Sequence, residues 1–219
     1  MAGDLAAILP LYATSADAAF VPLAGETPLV RVARTMRGAA VVAAAESLAD
    51  RAREALAGQG LSSIDVVTVT GPDSRAGCIA AALQAFADPP RQVLIHDIRR
   101  PLAPTSLSDR VIEALRAGAS VAMPMLPVTD SVKTVDELGS VTGTLDRSLL
   151  RVVQYPRGFA VDELTRLLGQ CRTDDFDELG EALHTTTPVR FVEGDADAFA
   201  VELPRGTDYV EAIIACRTQ

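Results

Sequence analysis

The sequence predicts an α/β fold: a mostly parallel sheet with helices on both faces. Two observations carry this. Short apolar runs, each long enough for one buried strand, alternate with amphipathic stretches along the first half of the chain. The composition agrees, because 48% of the residues are hydrophobic while only 4% are aromatic and Trp is absent. A core of Ala, Val and Leu suits helices packed on a sheet.

The strands are read first. "LAAILPL" (5–11), "AAVVAAA" (39–45), "IDVVTVTG" (64–71), "QVLIHD" (92–97) and "ASVAMPML" (119–126) are runs buried on both faces. Helix signals lie between them. Thr27 and Pro28 read as N-cap and first helical residue. Ser47 precedes "LADRAREALAG", which ends at Gly58. "RAGCIAAALQAFA" (75–87) is Ala-rich and stops before Pro89 and Pro90. Ser106 and Asp109 form a capping-box-like start for "LSDRVIEALRAG", with Gly118 as the residue that ends it. Strand, helix, strand in this order implies right-handed crossovers and a parallel sheet. The rhythm changes after about residue 128. "DSVKTVDELGSVTGTLDR" (130–147) alternates polar and apolar around Gly139 and Gly143 and reads as a hairpin that projects from the sheet. Helices are expected at 161–170, 174–183 and 206–217, and two strands at "VRFVEGD" and "AFAVEL". With no internal repeat and no low-complexity linker, residues 1–219 read as one domain carrying a β-arm at about 130–153.

Charge and cysteine usage exclude several function classes. The formal net charge is -9 and the pI about 4.7, which disfavours nucleic-acid backbones. Cys78, Cys171 and Cys216 show no zinc or disulfide spacing and suit a reducing cytoplasm. "MAGDLAAILPLY" carries no basic region before its apolar run and is not a signal peptide. No apolar run approaches the ~20 residues that span a bilayer. The expectation is a cytoplasmic protein without nucleic-acid or membrane partners.

In an open α/β sheet, ligands bind at the carboxyl ends of the strands. Asp97 ends such a strand and Arg100 follows within a turn. An acid beside a base at this rim suits a metal–phosphate or sugar–phosphate site. The plainer alternative is that Asp97 caps the turn and pairs with Arg100. A second group is Asp130, Ser131 and Lys133 with Asp146 and Arg147: a solvated hairpin face, or a hydroxyl and guanidinium for phosphate. A third is "GPDSRAGCI" (71–79), a strand-to-helix turn of the kind that binds anions or base edges. His96 and His184 have no nucleophile beside them, and His96 reads as a structural hydrogen-bonder.

Taken in order, these segments resemble the 2-C-methyl-D-erythritol 4-phosphate cytidylyltransferase family. "VLIHDIRRPL" resembles its H-D-A-A-R-P, "PVTDSVKTV" its D-T-x-K, and "TLDRSLLRVVQYPRGF" its T-x-D-R-x-x-L-x-x-x-Q-T-P-Q-x-F. "RTDD" and "VEGDADAFAVELPRGTDYVEA" resemble its closing segment. The resemblance implies a Rossmann-like nucleotidyltransferase fold with a dimerising β-arm, and hence a homodimer. It also implies transfer of a cytidylyl group from CTP to methylerythritol phosphate, with Mg²⁺ if active. By the same resemblance Asp97 would stand beside the metal. Arg100, Ser131 and Arg147 would hold the substrate phosphate, Arg147 reaching in from the partner subunit. Asp73 and Cys78 would lie near the base.

The departures from the family pattern are systematic. The family's glycine-rich A-A-G-x-G-x-R loop is here "LPLYATSADAAFVPLAG", and no Lys or Arg occurs before Arg31. Ala16 falls about where the loop Arg belongs, and Ala19 about where the following Lys belongs. The second Lys aligns with Ala200. Asp17 and Glu202 add negative charge, Ile98 replaces a small residue, and Tyr155 and Arg157 alter Q-T-P-Q. Phosphoryl transfer is driven by positioning and electrostatics, and one lost donor typically costs about 10²–10³ in rate. Three readings follow: a working cytidylyltransferase, a paralogue that keeps the fold but has lost triphosphate chemistry and acts as a sugar-phosphate-binding or regulatory module, and a nucleotidyltransferase of different substrate. The missing loop charges favour the second.

Overall fold

The computed structural model describes residues 4–71, 73–171 and 176–217. The chain runs β1 (Leu5–Leu11), α1 (Ala16–Phe20), α2 (Pro28–Thr35), β2 (Ala39–Ala45), α3 (Glu46–Ala57), β3 (Asp65–Val69), α4 (Arg75–Ala85), β4 (Gln92–Ile95), α5 (Thr105–Arg116) and β5 (Val121–Pro127). Then come β6 (Val132–Val135), β7 (Val141–Leu145), β8 (Arg151–Val153), β9 (Arg157–Ala160), α6 (Val161–Gln170), α7 (Glu178–His184), β10 (Val189–Glu193) and α8 (Thr207–Arg217). The main sheet has the order β10-β5-β9-β4-β1-β2-β3, with β8 pairing β5. β3, β2, β1 and β4 run parallel, and β10 runs parallel to β5. The antiparallel β9 sits between β4 and β5 and joins the two parallel halves. The mostly parallel α/β fold expected from the sequence is the fold observed.

The core explains the low aromatic content. One buried cluster holds Ile8, Val41, Ile79, Val93, Ile95, Met123 and Phe159. A second, on α2 and α3, holds Leu9, Leu29, Val42, Leu48 and Leu56. Neighbouring β1 residues thus feed different clusters, as period-two alternation requires.

Several local expectations are corrected. Thr27 caps α2 by accepting from Val30 N–H, and Gly118 sits at φ +95° after α5. Ser47 and Ser106, however, lie inside α3 and α5; their N-cap positions are Ala45 and Pro104, neither with a side-chain cap. "AFAVEL" (198–203) forms no strand; a short 3-10 turn, Ala196–Ala198, ends at its first residue. β9 is a strand that the sequence did not announce, being four residues long and flanked by Pro156. The helix expected at 174–183 begins at Glu178, capped by Asp177, and "RTDD" (172–175) lies outside the described residues.

Residues 130–153 hold a separate two-stranded sheet and the short strand β8. β6 and β7 pair only with each other, as an antiparallel ribbon turning at Gly139. β8 returns the chain to the main sheet. The ribbon exposes Val135, Leu138, Val141 and Leu145. Among the described residues no helix is long and apolar enough to cross a membrane.

Candidate active site

The strand order reverses direction between β1 and β4, and this is where an α/β sheet opens a crevice. Pro10 helps open it. Ile8 O accepts from His96 N–H at 2.8 Å, so residues of that parity in β1 face β4. Two residues on, Pro10 has no N–H to give, and the ladder stops. The gap is a cleft of about 250 Å³ lined by Pro10, Tyr12, Thr14, Ser15, Ala18, Arg75, Asp97, Ile98, Arg99, Val201, Glu202 and Leu203.

Asp97 lies on the cleft floor and is 5% exposed. Its partner is Arg99, not Arg100. Arg99 Nε donates to Oδ1 at 3.1 Å and Oδ2 at 3.2 Å, and Nη2 to Oδ2 at 2.7 Å. The Arg99 backbone N–H adds a bond to Oδ1 at 2.9 Å. Burial alone raises the Asp97 carboxyl, but the Arg99 bonds and the nearby Arg75 charge outweigh it and hold the group below its ordinary value.

Arg100 turns away from the cleft. Its Nη1 donates to Ala198 O and its Nη2 to Val153 O at 3.2 Å, which ties the closing segment to the base of the arm. Burial, its largest influence, pushes this guanidinium down, with Asp97 opposing. The plainer expectation of an Asp97–Arg100 pair is therefore replaced by Asp97–Arg99. The cause is chain direction: the turn after β4 brings residue 99 back over the carboxylate and points residue 100 inward.

A polar network under the cleft was not visible in the sequence. Glu178, fully buried at the start of α7, accepts from Arg75 Nε at 2.8 Å, Arg157 Nη1 at 2.6 Å and Tyr155 Oη at 2.8 Å. Arg157 also reaches Asp177 at 2.9 Å. Three guanidiniums, those of Arg75, Arg100 and Arg157, lie 4.2–5.6 Å from the centre of the Tyr155 ring. The departures at Tyr155 and Arg157 are thus one structural unit with Glu178. Only the pairing of Tyr155 and Arg157, at the entry to β9, with a helical Glu could have signalled it, and that pairing spans more than twenty residues.

The remaining expected site residues fall as follows. Asp73 Oδ1 accepts from Ala13 N–H at 2.8 Å and so fastens the first loop to the turn before α4. Cys78 is fully buried in the core, and burial pushes its thiol up to about 11. Ala19 is buried against α2 and α3, while its neighbour Ala18 faces the cleft. Ala200 is exposed, next to Val201, whose N–H donates to Arg99 O at 2.8 Å. Ser131 and Arg147 are exposed on the arm and do not line the cleft of their own chain. Arg147 donates to Thr129 O. His96 is corrected too: it is buried, and its Nε2 has no hydrogen-bond partner among the described residues.

Lys133, Arg31 and Arg34 do not reach the cleft. Lys133, the chain's one lysine, donates to Thr144 Oγ1 on the arm. Arg31 binds Leu23 O, and Arg34 pairs with Glu26. Among the described residues the charged side chains lining the cleft are Arg75, Asp97, Arg99 and Glu202, two of each sign.

The sequence profile of the family described as 2-C-methyl-D-erythritol 4-phosphate cytidylyltransferase matches residues 12–216. The chain belongs to this family. The enzyme of that name from Rhodococcus jostii is 38% identical over 90% of this chain and 86% of its own length. That from Nocardia farcinica is 36% identical over 90% and 85%. The crystal structure of 4-diphosphocytidyl-2C-methyl-D-erythritol synthase from Anaerococcus prevotii superposes with a TM-score of 0.81 at 18% identity, covering 98% of this chain and 97% of that one. The family's cytidylyltransferase from Thermus thermophilus gives 0.76 at 24% identity, over 96% and 98%.

The nucleotidyltransferase fold implies a divalent metal at Asp97, and the residues do not fit one as they stand. Mg²⁺ needs a carboxylate oxygen free for coordination beside substrate phosphates. Both Asp97 oxygens are already taken by Arg99. Among the described residues no group of three His, Cys, Asp or Glu side chains is placed to hold a metal.

Proposed function

We propose that this cytidylyltransferase-family chain has lost, or retains only weakly, transfer of a nucleotidyl group, and that its cleft holds a small phosphorylated ligand. In the family reaction an oxygen of methylerythritol phosphate attacks the α-phosphorus of CTP. The bond to pyrophosphate breaks, and pyrophosphate leaves with its electron pair. Negative charge on the five-coordinate phosphorus must be met by unpaired cations and amides. The observation that carries the proposal is the charge balance of the cleft. Arg75 is held by Glu178 and Arg99 has one edge on Asp97, and by the family resemblance Ala19 and Ala200 would fall about where the lysines belong. Losing several donors at once does not add in free energy, yet even one typically costs about 10²–10³ in rate.

The family reaction is the second reading, favoured by 38% identity to a curated enzyme over nine-tenths of the chain. One assay separates them: pyrophosphate release from CTP, 2-C-methyl-D-erythritol 4-phosphate and Mg²⁺. The first reading expects no release, or release at least about 100-fold below ordinary turnover. Turnover on the order of 1 s⁻¹, ordinary for an enzyme, overturns it.

We also propose that the arm pairs with a second copy. A two-stranded ribbon is marginal on its own, and this one exposes Val135, Leu138, Val141 and Leu145. A dimeric mass in solution is expected, and a monomer at micromolar concentration contradicts it.

A further inference from the structure

We infer that Arg99 takes the place of the divalent cation at Asp97, so that this cleft binds a phosphate group without metal. The family pattern has Ala at the position of Arg99 in H-D-A-A-R-P; this chain reads H-D-I-R-R-P. The departure adds a cation at the one carboxylate on the cleft floor. Arg99 closes on it with a side-chain fork at 2.7–3.2 Å and a backbone N–H at 2.9 Å. No coordination position is left on the carboxylate. Asp97 is 4% exposed at its side chain, so it keeps this partner in place, while the Arg99 side chain is 57% exposed. The Nη1 group takes no part in the four bonds, and Arg99 lines the cleft. A guanidinium anchored on one edge and open on the other presents paired N–H donors to a phosphate.

The neighbours complete the arrangement. Arg75 lies on the same wall, fixed from beneath by the buried Glu178. The hydroxyl-bearing residues Tyr12, Thr14 and Ser15 line the cleft, and Ala18, Ile98, Val201 and Leu203 give it apolar walls. A cleft of about 250 Å³ suits one phosphate monoester better than a nucleoside triphosphate. The ligand class is therefore a small phosphate monoester, recognised by the open edge of Arg99 and by hydroxyls, with Arg75 held on Glu178 beside them. A fixed single charge in place of a divalent ion also binds without polarising a leaving group, which agrees with the proposed function on which this inference rests.

Two titrations test it on the full chain. Inorganic phosphate is titrated calorimetrically in Mg²⁺ and again in EDTA. The expected affinities agree within about twofold; a strengthening by Mg²⁺ of about tenfold or more overturns the inference, as does no binding at millimolar phosphate in either buffer. Mn²⁺ alone is followed by electron paramagnetic resonance. Wild type is expected to leave it free, Arg99→Gln to bind it, and Arg99→Gln with Asp97→Asn to lose it again. Mn²⁺ held by wild type through Asp97, or no gain in Arg99→Gln, overturns the substitution of guanidinium for metal. If Arg99→Gln does not fold, the wild-type titrations decide alone. Metal-dependent phosphate binding without pyrophosphate release from CTP defeats this inference and leaves the proposed function standing; release from CTP at ordinary turnover defeats the latter.

Discussion

Replacing Glu178 by Ala tests the buried network directly. Glu178 is fully buried and is the shared acceptor for Arg75, Arg157 and Tyr155. Its removal leaves two guanidiniums in the interior, one with Asp177 as a remaining partner at 2.9 Å and one with none of comparable closeness. Breaking a buried pair from one side typically costs about 3–5 kcal/mol, because the surviving charge has no compensation. For a chain of this size each kcal/mol moves the melting temperature by roughly 2–4 °C, so a fall on the order of 10 °C is expected. Tyr155→Phe removes one neutral donor and leaves both guanidiniums paired, so it should cost only about 1 kcal/mol. Thermal melts and urea curves of the two variants, with the double mutant, measure the coupling. A drop below about 3 °C for Glu178→Ala, or equal drops for the two single variants, refutes the view that Glu178 neutralises the floor of the site.

Three further outcomes follow from particular side chains. His96 is buried, and burial lowers its pKa from 6.5 to about 4. Its folded value lies below the unfolded one, so the stability it contributes is complete above pH 6.5 and is lost as pH falls toward 4, by about 3 kcal/mol in all. Urea midpoints measured from pH 7.5 to 4.5 should show this slope, and His96→Leu should flatten it. Gly158→Ala would place a Cβ 2.5 Å from Val111 Cγ1 and 2.9 Å from Leu115 Cδ1, so it should cost about 1–3 kcal/mol in a melt by forcing α5 off the sheet. The exposed Cys216 should react quickly with a thiol reagent, whereas the buried Cys78, raised to about 11, should react only on unfolding.

What was legible in the sequence was local. The five apolar runs became β1 to β5; a segment buried on both faces must be apolar throughout, which shows in any window of a few residues, although β3, at the sheet edge, is only partly buried. Thr27 before Pro28 marked a helix start for the same reason, since a cap and its helix are neighbours in the chain. The crevice was also legible, because strand order and a charged strand end predict where a ligand site opens. The local signals failed where long-range packing competes. Ser47 and Ser106 are capping residues by type, yet α3 begins at Glu46 because β2 delivers the chain directly into it, and α5 begins at Thr105, straight after Pro104. β9 was missed because its strand character comes from being wedged between β4 and β5, not from its own four residues.

Family membership was readable from motif order, because residues that meet one ligand keep their spacing along a shared fold. The state of the site was not. Sequence placed Asp97 beside two arginines and could not say which one it holds; the turn geometry after β4 gave it Arg99 and sent Arg100 to the carbonyls of residues 153 and 198. Glu178 and Arg75 are 103 residues apart, and nothing in either neighbourhood announces the other. Charge pairing depends on distances of a few ångströms between side chains on different elements, and those distances exist only once the sheet and its helices have packed.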